Sequence, residues 1–131
     1  MFAQLINTFK KMKKNVLIVD DDPQNRLFME SCFLGTHFVV TTAADGKDAL
    51  DKFNAKAFDI VITDFFMPGF NGIQLCKRYA IRIRIKKYLI GFTGASFEDD
   101  DPEMAELGFN GILHKPLEKK SLIALVEQLV K

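Results

Sequence analysis

The chain has 131 residues, enough for one compact domain that buries roughly two thirds of the surface its unfolded form exposes. Basic and acidic residues nearly balance, with a formal net charge of +1, so the overall charge gives no reason to expect direct binding to nucleic acid. No apolar run approaches the ~18 residues of a membrane span, no stretch resembles a cleavable signal peptide, and two cysteines are too few for a disulfide framework. Composition therefore predicts a cytoplasmic protein that does not insert into a membrane.

Short apolar segments bounded by turn residues alternate along the chain with amphipathic segments. The predicted strands are Asn15–Val19, Phe38–Thr42, Asp59–Thr63, Tyr88–Phe92 and Gly111–His114. The predicted helices run from Pro23 to about Phe33, over Lys47–Phe53, from just after Gly72 to about Arg82, weakly between Pro102 and Gly108, and over Lys119–Val130. Because near-continuous apolar strands need helices on both faces, this order predicts an α/β fold, a flavodoxin-like doubly wound parallel sheet of five strands in order 2-1-3-4-5.

Several further residues have predicted structural places within this domain. Asp22, directly before Pro23, is expected to cap the first helix, and His114 is expected to point away from any site. Five large apolar side chains are expected in the core: Phe28, Met29, Phe33, Phe53 and Phe58. Cys32 and Cys76 lie in helical segments and are expected to be buried thiols.

The first 14 residues precede the first strand and form a predicted amphipathic extension to a domain that spans residues 15–131. The apolar side chains of this extension fall near one helical face: Phe2, Leu5, Ile6, Phe9 and Met12. Lysines crowd its end. A helix of this length is marginal alone in water, so its apolar face needs a surface. Two interpretations stay open, a docking helix and an incidental tail, whereas adsorption to a membrane surface is disfavoured.

Charged or hydroxyl side chains follow four of the predicted strands. Asp20, Asp21 and Asp22 follow the first strand, and Asp64 follows the third. Thr93 and Lys115 follow the fourth and fifth. In the predicted order the first and third strands are neighbours about 4.8 Å apart, so their carboxylates share one small site at the carboxyl edge. Like charges that close repel unless a cation intervenes, and a hard divalent ion with oxygen ligands, Mg²⁺, is the expected occupant.

Four segments together resemble a known family. In order and spacing, "VLIVDDDPQNR", "IVITDFFMPGFNG", "IGFTGAS" and "GILHKP" are similar to the motifs of the receiver domain of bacterial two-component response regulators. The resemblance runs from about Asn15 to Lys131. It implies that Asp64 is the phosphoryl acceptor. It also implies that Thr93 and Lys115 contact the phosphoryl oxygens, and that the Lys115-Pro116 bond is cis.

The same resemblance implies the metal ligands. Asp21 would bind Mg²⁺ directly, Asp20 would support it, and the backbone carbonyl of Phe66 would complete the protein's ligands together with Asp64. The bulky apolar Phe66 side chain cannot help to orient an attacking water, which favours slow self-hydrolysis of the phosphoryl group. On this interpretation the chain is not an enzyme but a self-phosphorylating acceptor.

The resemblance also implies partners. A histidine kinase or a histidine phosphotransfer protein would donate the phosphoryl group, and a downstream protein target or a second copy of the chain would respond. Because no effector domain follows Lys131, output by protein contact is favoured over DNA binding. Relatives usually carry Tyr or Phe three residues before the lysine, where this chain has Ile112. We therefore expect the segment from Ala95 to Gly108, rather than an aromatic rotation, to report activation.

Two alternatives of other kinds are weighed against this function. A Mg²⁺-dependent phosphatase of the haloacid-dehalogenase type needs a second aspartate two residues after the nucleophile, where this chain has Phe66. A flavin carrier needs a glycine- and hydroxyl-rich loop after the first strand, and three aspartates there would repel a phosphate. A receiver excised from a hybrid histidine kinase or from a longer regulator stays open.

Overall fold

A computed structural model describes Phe2 and residues 13–64, 88–93 and 109–130. The described strands are β1 (Lys14–Val19), β2 (Phe38–Ala43), β3 (Ile60–Asp64), β4 (Tyr88–Thr93) and β5 (Gly111–His114). The described helices are α1 (Pro23–Cys32), α2 (Gly46–Ala55) and α3 (Lys119–Leu129). The helices predicted near Gly72–Arg82 and Pro102–Gly108 lie outside the described residues.

The five described strands form one parallel sheet in the order β2-β1-β3-β4-β5, which confirms the predicted fold class. Every neighbouring pair is parallel, and β1 lies between β2 and β3 as expected. Strand boundaries differ from the prediction by one residue in places. Asp64 and Thr93 are the last residues of β3 and β4 rather than the first residues after them. Both residues therefore have their backbone fixed by the sheet.

Apolar side chains cover both faces of the sheet. On one face Val16, Ile18, Ile62 and other buried residues pack with α1 and α3, and on the other face Leu17, Val19 and Val61 pack with residues of α2. Strand residues that alternate along the chain thus reach opposite layers of the core. The sheet is buried between helices, and its carboxyl edge is the place where polar side chains collect.

The expectation for the large apolar residues is correct with one exception. Met29, Phe33 and Phe58 are buried, and Phe53 packs at the margin of the α2 layer. Phe28, however, is 41 % exposed, so its prediction as a core residue is wrong. The buried face of α1 passes through Met29 and Cys32, and a residue one position before Met29 is rotated about 100° away from that face.

Side-chain caps begin two of the described helices. The Asp22 carboxylate accepts a hydrogen bond from the backbone N–H of Gln24 at 2.9 Å, which confirms it as the N-cap of α1. Asp45 caps α2 in the same way, by accepting from the N–H of Asp48 at 2.7 Å. The cap on α1 fixes the chain directly after the acidic end of β1.

Two composition-based expectations can be followed on the described residues. Cys32 is a buried free thiol, as predicted, and burial raises its pKa. Cys76 lies outside the described residues. None of the helices searched within the described ranges is long and apolar enough to cross a membrane.

Candidate functional site

The ends of β1 and β3 bring three aspartates together. Val19 pairs with Thr63 in the register of these strands, so the next residues, Asp20 and Asp64, lie side by side at the carboxyl edge. Asp21 follows Asp20 around the turn. One carboxylate oxygen from each of the three aspartates lies within 4.8 Å of the others. The predicted cluster of Asp20, Asp21 and Asp64 is thus present in the folded chain.

Asp20 is the most deeply buried of the three. It has no exposed surface, and its Oδ1 accepts a hydrogen bond from the backbone N–H of Asp22 at 2.9 Å. Its Oδ2 is buried and has no hydrogen-bond partner in the described part of the chain. Burial raises the pKa of Asp20 to about 6; the N–H of Asp22 opposes this rise, and the negative charge of Asp64 adds to it.

Asp64 has a cationic neighbour. It is 4 % exposed, and its Oδ2 lies 3.0 Å from Nζ of Lys115, a residue that directly follows β5. The Lys115 ammonium reaches across β4 from the outer strand β5. Lys115 is itself one third exposed, so its side chain is partly accessible to solvent.

This group of residues fits a hard divalent cation. An oxygen-only donor set of three close carboxylates is the kind that Mg²⁺ prefers, and a buried carboxylate oxygen without a partner is costly unless a cation or a proton satisfies it. Asp20 Oδ2 is such an oxygen. The chemistry of the donors therefore supports the predicted metal.

Other predicted site residues can be followed only in part. Thr93 ends β4 and pairs in register with His114, but its side chain lies outside what is described. Phe66, expected to contribute its carbonyl, lies outside the described residues. His114 is exposed. The Lys115-Pro116 peptide bond is cis, as the resemblance implied.

Sequence reasoning missed two residues at this edge. Arg26 on α1 donates a hydrogen bond from Nη1 to the backbone carbonyl of Asp20 at 2.7 Å. The Phe92 ring lies with its centroid 5.4 Å from Nζ of Lys115. Position carried a signal for Phe92, because it directly precedes Thr93, but an apolar strand residue is ordinarily assigned to the core.

Comparisons with known proteins agree with this arrangement. The family described as "Response regulator receiver domain" matches residues 16–127. The two-component response regulator ARR22 of Arabidopsis thaliana is 32 % identical over 92 % of this chain and 86 % of its own length. The response regulator ArlR of Staphylococcus epidermidis is 28 % identical over 89 % of this chain, which spans only 52 % of that protein.

Solved structures show the same fold. The receiver domain of the Francisella response regulator 1452 superposes with a TM-score of 0.81 at 29 % identity, covering 90 % of this chain and 97 % of that one. The chemotaxis protein CheY4 of Vibrio cholerae gives 0.82 at 27 % identity, covering 89 % and 98 %. Because the receiver-domain model matches residues 16–127, most of this chain, the chain belongs to the receiver-domain family of two-component response regulators.

Proposed function

We propose that this receiver domain accepts a phosphoryl group on Asp64 in a Mg²⁺-dependent reaction and thereby switches its binding to a protein partner. The observation that carries the proposal is the contact between Lys115 Nζ and Asp64 Oδ2, 3.0 Å, beside two further carboxylates. A nearly buried carboxylate flanked on one side by an ammonium and on the other by acidic groups is arranged to bring phosphoryl oxygens and a metal ion to one point.

In the proposed transfer an ionised oxygen of Asp64 attacks the phosphorus in line with the departing group of the donor. A new O–P bond forms to Asp64 as the bond to the donor breaks, and the electron pair of that bond leaves with the donor group. The donor is a phosphohistidine or a small acyl phosphate. The strand-end position of Asp64 keeps its backbone fixed, so the carboxylate is held before the donor arrives.

Lys115 and Thr93 are assigned to the phosphoryl oxygens. The ammonium that contacts Asp64 Oδ2 in the resting chain can donate to an oxygen of the new aspartyl phosphate without a large movement. Thr93, at the end of the adjoining strand β4, is assigned the second contact. Each contact can bias the backbone that carries it, and we assign the switch to that effect.

Asp20, Asp21 and Asp64 are assigned as metal-binding residues, with the carbonyl of Phe66 as a further ligand. Bound Mg²⁺ supplies positive charge that offsets the crowding of anionic groups during transfer. Arg26 holds the carbonyl of Asp20 and so helps to fix the acidic end of β1. An apolar side chain at position 66 offers no group to orient water, and we assign slow self-hydrolysis on that basis.

The proposed donor partner is a histidine kinase or a histidine phosphotransfer protein, and the output is contact with a downstream protein. The chain spans about half the length of the ArlR relatives, so a receiver within a longer regulator or a hybrid kinase is the second candidate. The acceptor chemistry is the same in both cases.

Intact-mass measurement with acetyl phosphate and Mg²⁺ tests the acceptor. The wild-type chain should gain one base-labile phosphoryl group, and Asp64→Asn should gain none. Asp22→Asn is the matched control, because it removes an adjacent exposed carboxylate yet keeps a good N-cap residue, and it should be labelled like wild type. Full labelling of Asp64→Asn would exclude Asp64 as the acceptor.

Metal titration distinguishes the role of the carboxylates, which are assigned to the metal, from that of the Lys115 ammonium. Asp21→Asn should weaken Mg²⁺ binding, because Mg²⁺ gives up water reluctantly and needs anionic ligands. Lys115→Ala should bind Mg²⁺ at least as tightly as wild type, since the lysine ammonium of the wild-type chain competes with the metal for Asp64. The same variant should lose most labelling by acetyl phosphate. Unchanged affinity in Asp21→Asn would contradict the assignment of the metal site.

A further inference from the structure

Lys115 reaches Asp64 by crossing an aromatic side chain. Asp64 pairs with Phe92 in the register of β3 and β4, and Phe92 pairs with Leu113 in that of β4 and β5. Paired residues of a parallel sheet direct their side chains to the same face, and Lys115 lies two residues beyond Leu113. The side chain on β4 that stands between the lysine and the aspartate is therefore Phe92.

The contact between the ammonium and the ring has the geometry of a cation–π interaction. Nζ of Lys115 lies 5.4 Å from the centroid of the Phe92 ring, within the ~6 Å at which the ring quadrupole attracts a cation. Phe92 is completely buried in the core layer shared with α3, so the surrounding side chains restrain its ring. Lys115 is one third exposed and is otherwise a flexible four-carbon chain.

We propose that Phe92 is a positioning residue that holds the Lys115 ammonium at the site, before and after the phosphoryl group arrives. The inference rests on the proposed function of Asp64. A lysine side chain loses considerable rotamer freedom when its end group is fixed. A rigid ring under the ammonium removes part of that freedom in advance, so less remains to be lost when Nζ moves from Asp64 Oδ2 to a phosphoryl oxygen. A Leu or Val at position 92 would fill the core without attracting the cation.

The test weakens the ring's quadrupole without changing its shape. Site-specific replacement of Phe92 by mono-, di- and trifluorophenylalanine should slow labelling by acetyl phosphate progressively, and Phe92→Leu should slow it about two- to fivefold, the factor expected of a partly exposed cation–π contact. In the Lys115→Ala background the residual rate should be insensitive to fluorination. A rate that is independent of fluorine content would overturn the proposal.

Phe58→Leu is the matched structural control. Phe58 is also almost completely enclosed, at 1 % exposure, but it packs in the opposite core layer, so its truncation removes the same atoms from the other face of the sheet. Phe58→Leu should lower the free energy of unfolding to an extent similar to Phe92→Leu and leave the labelling rate unchanged. Equal slowing in both variants would mean that Phe92 acts through packing alone and would refute the positioning role.

A second readout does not depend on phosphorylation. In the metal-free chain, the ring current of Phe92 should displace the NMR resonances of the Lys115 side-chain protons nearest the ammonium upfield, and Phe92→Leu should abolish this displacement. A normal resonance position in wild type would refute the contact. If wild type shows the displacement but takes up no phosphoryl group, the proposed function and the rate effect both fail while the contact itself stands.

Discussion

At the scale of single residues, Asp20 combines complete burial with an oxygen that has no hydrogen-bond partner among the described residues. Its pKa rises from 3.8 to about 6 because burial disfavours the charged form and Asp64 adds negative charge. In the metal-free chain between about pH 4 and pH 6, the folded state therefore keeps a proton on Asp20 that the unfolded state has already lost. Stability must then fall as pH rises from about 4 to about 6.

Asp20→Asn should remove this fall in stability with rising pH, because the amide does not ionise. Below about pH 4 the free energies of unfolding of variant and wild type should converge, because the wild-type carboxyl is neutral in both states. Above about pH 6 the metal-free variant should be more stable by on the order of 2–3 kcal/mol, the equivalent of the rise in pKa to about 6. Denaturant unfolding across this pH range measures the difference. Addition of Mg²⁺ at pH 7 should narrow the difference in stability. A variant less stable than wild type at pH 7 without metal would show that the buried Asp20 carboxylate does not destabilise the metal-free chain.

Residue identity and position allowed the acidic cluster and Lys115 to be predicted, because each lies at the end of a strand or just after it and the carboxyl ends of parallel strands share one edge. Arg26 and Phe92 could not be found in this way. Arg26 acts through a hydrogen bond to a backbone carbonyl, and Phe92 acts through the face of a ring. Neither contact has a motif, and both depend on the register and on side-chain conformations that a pattern of apolar residues does not specify.

At the scale of elements, α1 connects the acidic turn to the core. Asp22 caps its first turn, and its buried face is formed by Met29 and Cys32. The sequence predicted the cap, but it assigned Phe28 to the core together with its neighbour Met29. Hydrophobicity alone does not show which of two adjacent apolar residues faces the sheet, since they differ by about 100° around the helix.

Asp22→Ala should separate capping from metal binding. Loss of the hydrogen bond to the N–H of Gln24 should lower the free energy of unfolding by about 1 kcal/mol. The Mg²⁺ affinity should change by less than about twofold, because the backbone N–H that contacts Asp20 is retained. Thermal unfolding and metal titration of the same variant check both statements. A large loss of Mg²⁺ affinity would make Asp22 a ligand rather than a cap.

Ile112 lies on strand β5, three residues before Lys115. It is partly buried and packs against the core layer that includes Leu89 and Phe109. A branched aliphatic side chain in this position has neither the ring nor the hydroxyl that would report activation at the surface. The alternative switch segment, Ala95–Gly108, lies outside the described residues, so its role stays a prediction.

At the scale of the whole molecule, the order of the strands was predictable because five short apolar strands alternating with helices have few ways to cover both faces of a sheet. The function of residues 1–14 was not predictable, because an amphipathic pattern does not specify which surface covers its apolar face. Phe2, the one described residue before Lys13, is helical and 76 % exposed. We propose that this extension is a docking segment for a second copy or a partner protein.

Deletion of residues 1–12 should therefore leave labelling of Asp64 unchanged and reduce self-association or partner affinity. The reason is that the deletion removes the predicted apolar helical face while retaining β1 from Lys14 onward. Sedimentation velocity over a range of concentrations and intact-mass labelling measure the two effects. Identical sedimentation and partner binding in both chains would show that the extension is an incidental tail.

We infer that Asp64, and no other carboxylate of the acidic cluster, receives the phosphoryl group. Borohydride reduction of the labelled chain, followed by peptide sequencing by mass spectrometry, identifies the acceptor, because reduction converts an aspartyl phosphate into a stable homoserine at the modified position. We expect homoserine at position 64, with Asp20, Asp21 and Asp22 intact. Homoserine at position 20, 21 or 22, or phosphate recovered on a histidine or a serine, would contradict it.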